Sequence, residues 1–292
     1  AIVKRSLGEF NEAIAYLKLI LKKSSTQSFS AKIYSDLAIN YLLLKELENA
    51  EKALQTSNFL SKDSKVLGKN HQTKGNIYLS KRDYKNAQIS FKKALPLVKE
   101  EFGINDRELG KIYNQIAQCN LGLGLYNEAI LNYKVTLKTL IPQFEELEYV
   151  NKVNKDYLYP ENTLLESFDG LAKANTFLTN FEDALEYYDL SFVVERQLQQ
   201  TFSTQKAKLI QQQENKNRSE FCIEICYQLF EKSKNIDWLE KALNYVEKSK
   251  SAVLNEAKTT SFNKSKFKED SIFLNEKTLL FQKAQLNKKI AL

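Results

Sequence analysis

Three cysteines and one histidine are the residues of this chain best suited to covalent or metal chemistry: Cys119, Cys222, Cys226 and His71. A thiolate beside an imidazole that takes its proton is a nucleophile, and about four Cys or His ligands would hold a zinc ion. The spacing favours neither. Cys222 and Cys226 share one helix face, but His71 lies far away in sequence, and no motif surrounds any of the four. An odd number of cysteines in a long chain is not a disulfide framework, so they are expected to act as small core residues in a reducing, cytoplasmic compartment. There is no GxGxxG, Walker-type loop, HExxH or paired-carboxylate constellation, and the Glu145-Glu146 pair reads as solvated helix surface. No catalytic residue, cofactor or metal is therefore expected, and the chain is not expected to be an enzyme.

The elements that would position any functional residue follow from a phrase that returns along the chain. It runs from a large apolar residue to a small Ala, then a bulky residue, then a usually small one. The copies are Phe10/Ala13/Leu17/Ile20, Leu47/Ala50/Leu54/Ser57, Tyr84/Ala87/Phe91/Ala94, Tyr126/Ala129/Tyr133/Thr136, Phe181/Ala184/Tyr188/Ser191 and Leu239/Ala242/Val246/Ser249. These spacings of three and four mark one face of a helix, here called helix B. Before it stands a helix A with its own ladder, such as Tyr34/Leu37/Ala38/Tyr41 or Tyr113/Ile116/Ala117. Tight turns such as Gly8-Glu9-Phe10 and Gly124-Leu125-Tyr126 join A to B. The small Ala residues are 37, 37, 42, 55 and 58 positions apart. A recurring unit of this size sets the fold before local propensity does.

Composition agrees. Only 8 Gly and 3 Pro in 292 residues are too few for a many-stranded β protein, and no apolar run is long enough to span a membrane. The net charge of +7 comes from Lys interleaved with Glu and Asp, as expected of a solvated helical surface and not of a nucleic-acid stripe. No signal peptide is visible. The chain starts inside a repeat and contains no Met, so a fragment is expected, and a targeting segment upstream stays open.

From about residue 7 to 256 the phrase resembles the tetratricopeptide repeat (TPR), whose usual length is about 34 residues. The resemblance implies an all-α, right-handed superhelical solenoid of antiparallel helix pairs, and the absence of Gly and Pro from residues 193–233 adds elongated helices in the last repeats. It also implies an inner surface lined by helices A that holds a protein or peptide partner. In that register the inward residues are Lys69, Gln72 and Asn76, then Lys111, Asn114 and Gln118, then Asp169, Lys173 and Phe177. Departures are Lys74 at a normally apolar position, one extra residue in the Asn235–Trp238 turn, and Pro96, which is expected to kink or end its helix. Residues 140–160, with Pro142 and Pro160, read as a short insertion with one or two helical turns that covers the groove or extends a helix. The Gln clusters at 197–200 and 211–213 are expected to be helical.

The stretch from Ala242 to Leu254, with Glu247-Lys248-Ser249-Lys250-Ser251-Ala252, and the later Asp270-Ser271-Ile272-Phe273-Leu274 resemble the junction before the caspase-like domain of bacterial CHAT-domain proteases. That resemblance covers about residues 200–292. It divides the chain into repeats at 1–256 and a linker with a C-terminal helix at 257–292, leading towards a caspase-like domain beyond Leu292. It implies a scaffold that recruits and regulates an attached protease. The alternative is a freestanding adaptor or the sensor region of another signalling protein. Neither reading expects a nucleic-acid or membrane partner.

Overall fold

Alanine at the signature positions lets two helices approach until their backbones nearly touch, and Ala13, Ala50, Ala87, Ala129 and Ala184 are all fully buried. The computed structural model describes residues 1–23, 26–104, 106–141, 144, 155–199, 205–249 and 279. They fall into two compact units, Ala1–Phe202 and Ser203–Leu292. No strand occurs among the described residues.

The first unit is an all-α, TPR-like solenoid of antiparallel pairs. Helices A are α1 (Ile2–Ser6), α3 (Gln27–Leu43), α5 (Ser64–Ser80), α7 (Arg107–Gly122) and α9 (Asn162–Phe177). Helices B are α2 (Phe10–Lys23), α4 (Leu47–Leu60), α6 (Tyr84–Phe102), α8 (Tyr126–Leu140) and α10 (Phe181–Gln199). Each helix packs on its sequence neighbour, and α3 meets α5 just as α7 meets α9. Large side chains fill the gaps left by the alanines. Phe91, Phe168, Leu137, Leu185 and Tyr188 are among the largest fully buried side chains.

The A-to-B turns share one geometry. In the first, the Gly8 N–H donates to the Arg5 carbonyl and the Glu9 N–H to the Lys4 carbonyl. The same pair recurs at Lys45 and Glu46, Arg82 and Asp83, Gly124 and Leu125, and Thr179 and Asn180. This is the Schellman closure, which needs a left-handed residue after the helix. Gly8 and Gly124 supply it without a Cβ penalty, whereas Lys45, Arg82 and Thr179 adopt φ of 62°, 58° and 61°. Side chains of Thr26, Asp63, Asp106 and Glu161 cap the N-termini of α3, α5, α7 and α9.

Of the kink or end expected at Pro96, the end does not occur: α6 continues to Phe102. Pro96 and Lys92 are exposed, so water can satisfy the carbonyl that lacks an N–H partner, while Val98 is buried one residue after Leu97 packs over Gly68. Of the insertion, the described part comprises Leu140 and Ile141, Phe144, and a short 3-10 turn at Lys155–Tyr157 with the chain to Pro160. It lies against the helix ends. Leu158 is buried and its carbonyl accepts from Gln197 Nε2 of α10, and Tyr159 Oη donates to the Leu140 carbonyl at the end of α8.

The second unit contains α11 (Gln205–Ser233) and α12 (237–249). The Gln211–Gln213 cluster is helical, and α11 spans 29 residues, the elongation that the wide final spacing leads one to expect. Cys222, Ile225 and Cys226 of α11 and Tyr245 of α12 are buried. The boundary at 256 and most of 257–292 lie outside the described residues.

Candidate functional site

The helices A of the first unit line a cavity of about 720 Å³ that runs from α1 to α7. Four residues expected from the sequence come together in its wall: Lys69, Gln72 and Asn76 from α5, and Lys111 from α7. Their spacing of three and four along α5 puts the first three on one face. Helix α3 adds Ile39, Leu42 and Leu43 at one end. The long α6 adds Leu97, Val98, Glu101 and Phe102 at the other.

Polar contacts tie the helices A to one another. Asp36 of α3 receives Arg5 Nη1 of α1 at 3.4 Å and Lys69 Nζ of α5 at 2.9 Å. Gln115 Nε2 of α7 donates to Asn76 Oδ1 at 2.7 Å, and Gln72 Nε2 donates to Gln115 Oε1 at 3.2 Å. Lys111 Nζ pairs with Glu108 at 2.6 Å, and Lys65 pairs with Glu101 while its ammonium stands over the Phe102 ring.

The other expected residues lie elsewhere. Asn114 is buried between α7 and α9, where its amide donates to Glu166 Oε2 at 2.8 Å and its carbonyl oxygen accepts from Ser167 Oγ at 2.9 Å. Its side chain therefore joins two repeats. Gln118 is exposed on α7 and Lys173 on α9, while Asp169 is half-buried. Phe177 is 60% exposed, yet its ring stacks on Tyr126 at 4.8 Å between centroids and 7° between planes. None of these five lines the cavity.

Electrostatics divide the A face. Although Glu166 as a residue remains exposed, its carboxyl is pushed above the usual range by desolvation, and the like charges of Asp169 and Glu161 add to this against the Asn114 amide and Lys111. Burial raises the Glu161 carboxyl too, but the Arg107 hydrogen bonds, the Thr163 N–H and the guanidinium charge outweigh it, leaving it below its ordinary value. The Arg107 fork is bidentate, Nε to Oε2 at 2.6 Å and Nη2 to Oε1 at 2.9 Å. His71, half-buried on α5, is held below its usual value by burial and by Lys93 and Lys74. Burial pushes the Cys119 thiol up to about 12, the opposite of an activated nucleophile. No three potential metal ligands cluster among the described residues, and no described helix is long and apolar enough to cross a membrane.

The sequence reading missed Arg5, Asp36, Lys65, Gln115 and the last turn of α6. The 42-residue spacing between Ala87 and Ala129 was the available signal for the last of these, because the extra length extends helix B to the cavity wall.

Residues 69–97, which cover most of α5 and of α6, match the family model for the tetratricopeptide repeat. The chain is 36% identical over 104 residues to an uncharacterized protein, ycf37, of Guillardia theta. That stretch covers 33% of this chain and 58% of the relative, so the chain spans less than two thirds of the relative's length. Among solved structures, BtubC (BKLC) from P. vanneervenii is similar with a TM-score of 0.57 and 12% identity, over 87% of this chain and 92% of that one. A signal transduction ATPase with numerous domains that carries a tetratricopeptide repeat sensor, from Pyrococcus horikoshii, gives a TM-score of 0.57 and 20% identity, over 89% of this chain and 43% of that one. At these identities the likeness is one of fold.

Proposed function

We propose that the chain is a protein–protein interaction scaffold that holds a segment of a partner on the helix-A face of its first unit. The observation that carries this is the 720 Å³ cavity, walled by side chains from successive repeats and containing Lys69, Gln72, Asn76 and Lys111. A concave, mostly apolar site with a few convergent polar groups is the usual form of a binding site. Gln118, Asp169, Lys173 and Phe177 form a second, more distal set along the same series of helices, available to a longer partner, with the buried Asn114 bracing α7 against α9 beneath them. Photo-cross-linking tests the reading. A benzophenone side chain introduced at Gln72 should capture a partner from a host extract, whereas one at Phe59, which is 84% exposed on helix B α4, should not. Equal capture at both positions would remove the support.

The finer reading is that the scaffold recruits substrates or activators for an attached CHAT-type, caspase-like protease in the cytoplasm. The Glu247–Ala252 phrase and the Asp270–Leu274 start support it, and all three cysteines are buried and in no disulfide, as a reducing compartment favours. The gene sequence after the Leu292 codon tests it. A strand-rich domain with a His and a later Cys would support the protease, and a histidine-kinase helix or a stop codon would leave a freestanding adaptor or sensor.

A further inference from the structure

We infer that the occupant of this cavity is an extended partner segment of low charge with aliphatic or aromatic anchors, and not an acidic tail. The inference rests on the cavity being the recognition surface, and it concerns what that surface selects. Lysines on a binding face ordinarily suggest an anionic ligand. Here each cation of the wall already has a carboxylate of its own chain. Arg5 and Lys69 share Asp36, Lys65 holds Glu101, and Lys111 holds Glu108. An incoming carboxylate would have to compete with one of these for its cation. One charge-assisted hydrogen bond is then exchanged for another of the same kind, with no gain in their number.

What the wall does leave open is different. Among the described residues, Asn76 Nδ2 and Gln72 Oε1 have no partner once the Gln115 contacts are made, which leaves one donor and one acceptor four residues apart on one face of α5. That pair matches the C=O and N–H of a peptide backbone. Around it stand apolar side chains still in water: Leu43 at 47% exposure, Phe102 at 45% and Ile2 at 66%. Their cover by a partner is the remaining source of favourable free energy, at about 25 cal/mol per Å². Four cations already held by three carboxylates, an amide donor and acceptor, and exposed apolar groups together fit a peptide strand of low charge with apolar anchors.

Panning the 292-residue chain against a display library of short random peptides tests this. Selected peptides are then synthesised with a fluorescent label, and their affinity is measured by anisotropy at low and high salt, beside a poly-Glu control. The expected selection is rich in Leu, Ile and Phe and poor in Asp and Glu. Affinity should change less than about threefold over a tenfold rise in salt, because screening acts on few net charges. Asn76→Ala and Phe102→Ser should each weaken binding about tenfold. The double variant Asp36→Asn, Glu101→Gln unmasks Arg5, Lys69 and Lys65, and should raise poly-Glu affinity at low salt by about tenfold. Selection dominated by Asp and Glu, with binding that collapses in salt and is lost in Lys69→Ala, would overturn the inference and leave the scaffold reading standing. Peptides indifferent to both Asn76→Ala and Phe102→Ser, or no selected peptide at all, would overturn both. Far-ultraviolet circular dichroism of every variant separates these outcomes from loss of fold.

Discussion

Replacing Gly75 by Ala sets two effects of opposite sign against each other. In a helix interior Ala is favoured over Gly by about 0.5–1 kcal/mol. A Cβ at Gly75, however, would stand 2.4, 2.6 and 2.6 Å from three ring carbons of Phe91. The ring cannot yield easily, because Phe91 is fully buried and belongs to a cluster with Ala87, Ala94, Val98, Ile112 and Ile116. Overpacking of this kind costs about 1–3 kcal/mol, and contact with three rigid atoms argues for the upper part of that range. The net expectation is a loss of about 1–2 kcal/mol, read as a lower urea midpoint at unchanged slope. Phe91→Leu alone should also destabilise, by lost burial and a residual void. In the double variant the smaller Leu makes room for the new methyl, so the combined loss should fall short of the sum by about 1 kcal/mol or more. A stabilised Gly75→Ala protein, or strict additivity, would refute the claim that helices α5 and α6 are in contact at the limit set by this glycine.

Three other outcomes follow. Thr179 is β-branched at φ 61°, so Thr179→Gly should stabilise by up to about 1 kcal/mol in thermal or urea melts; a loss would mean that its side chain contributes more than the strain costs. Glu161 has a lowered folded-state value, so its contribution is full above the ordinary carboxylate range and is lost as pH falls through the folded value; Arg107→Ala should cost about 1 kcal/mol at neutral pH, because Arg107 is half exposed, and flatten the acid limb of a stability–pH curve. An acid limb unchanged by the substitution would place the acid sensitivity elsewhere. Cys119, Cys222 and Cys226 are buried, so all three should resist a thiol reagent at mildly alkaline pH in the native protein and react together in urea; one fast thiol in the native state would contradict the packing.

Much of the first unit was legible because it depends on residue size at fixed spacing. Ala13, Ala50, Ala87, Ala129 and Ala184 could be read directly, since only a small side chain fits where two helices cross. Two of the five turns of the first unit were legible through Gly8 and Gly124. The turns at Lys45, Arg82 and Thr179 were not, because Schellman hydrogen bonding holds ordinary residues in the same conformation. Pro96 does not end α6 because exposure lets solvent replace the lost backbone bond. At the site, α5 was easy because Lys69, Gln72 and Asn76 share a face. Asn114 was harder. Its repeat position resembles that of an inward residue, but Glu166 and Ser167 of α9, distant in sequence, engage its amide. Asp36 and Gln115 escaped notice for the same reason: their roles exist only between repeats.

The central proposal is that a partner binds in the helix-A cavity. Hydrogen exchange of the 292-residue chain, with and without a saturating display-selected peptide, tests this most directly. Because a ligand that binds the native state suppresses the local opening it contacts, protection should rise along α5 and the first half of α7, around Lys69, Gln72, Asn76 and Lys111, and stay unchanged along α4 near Phe59. Protection confined to helices B, with α5 and α7 unaltered, would contradict it.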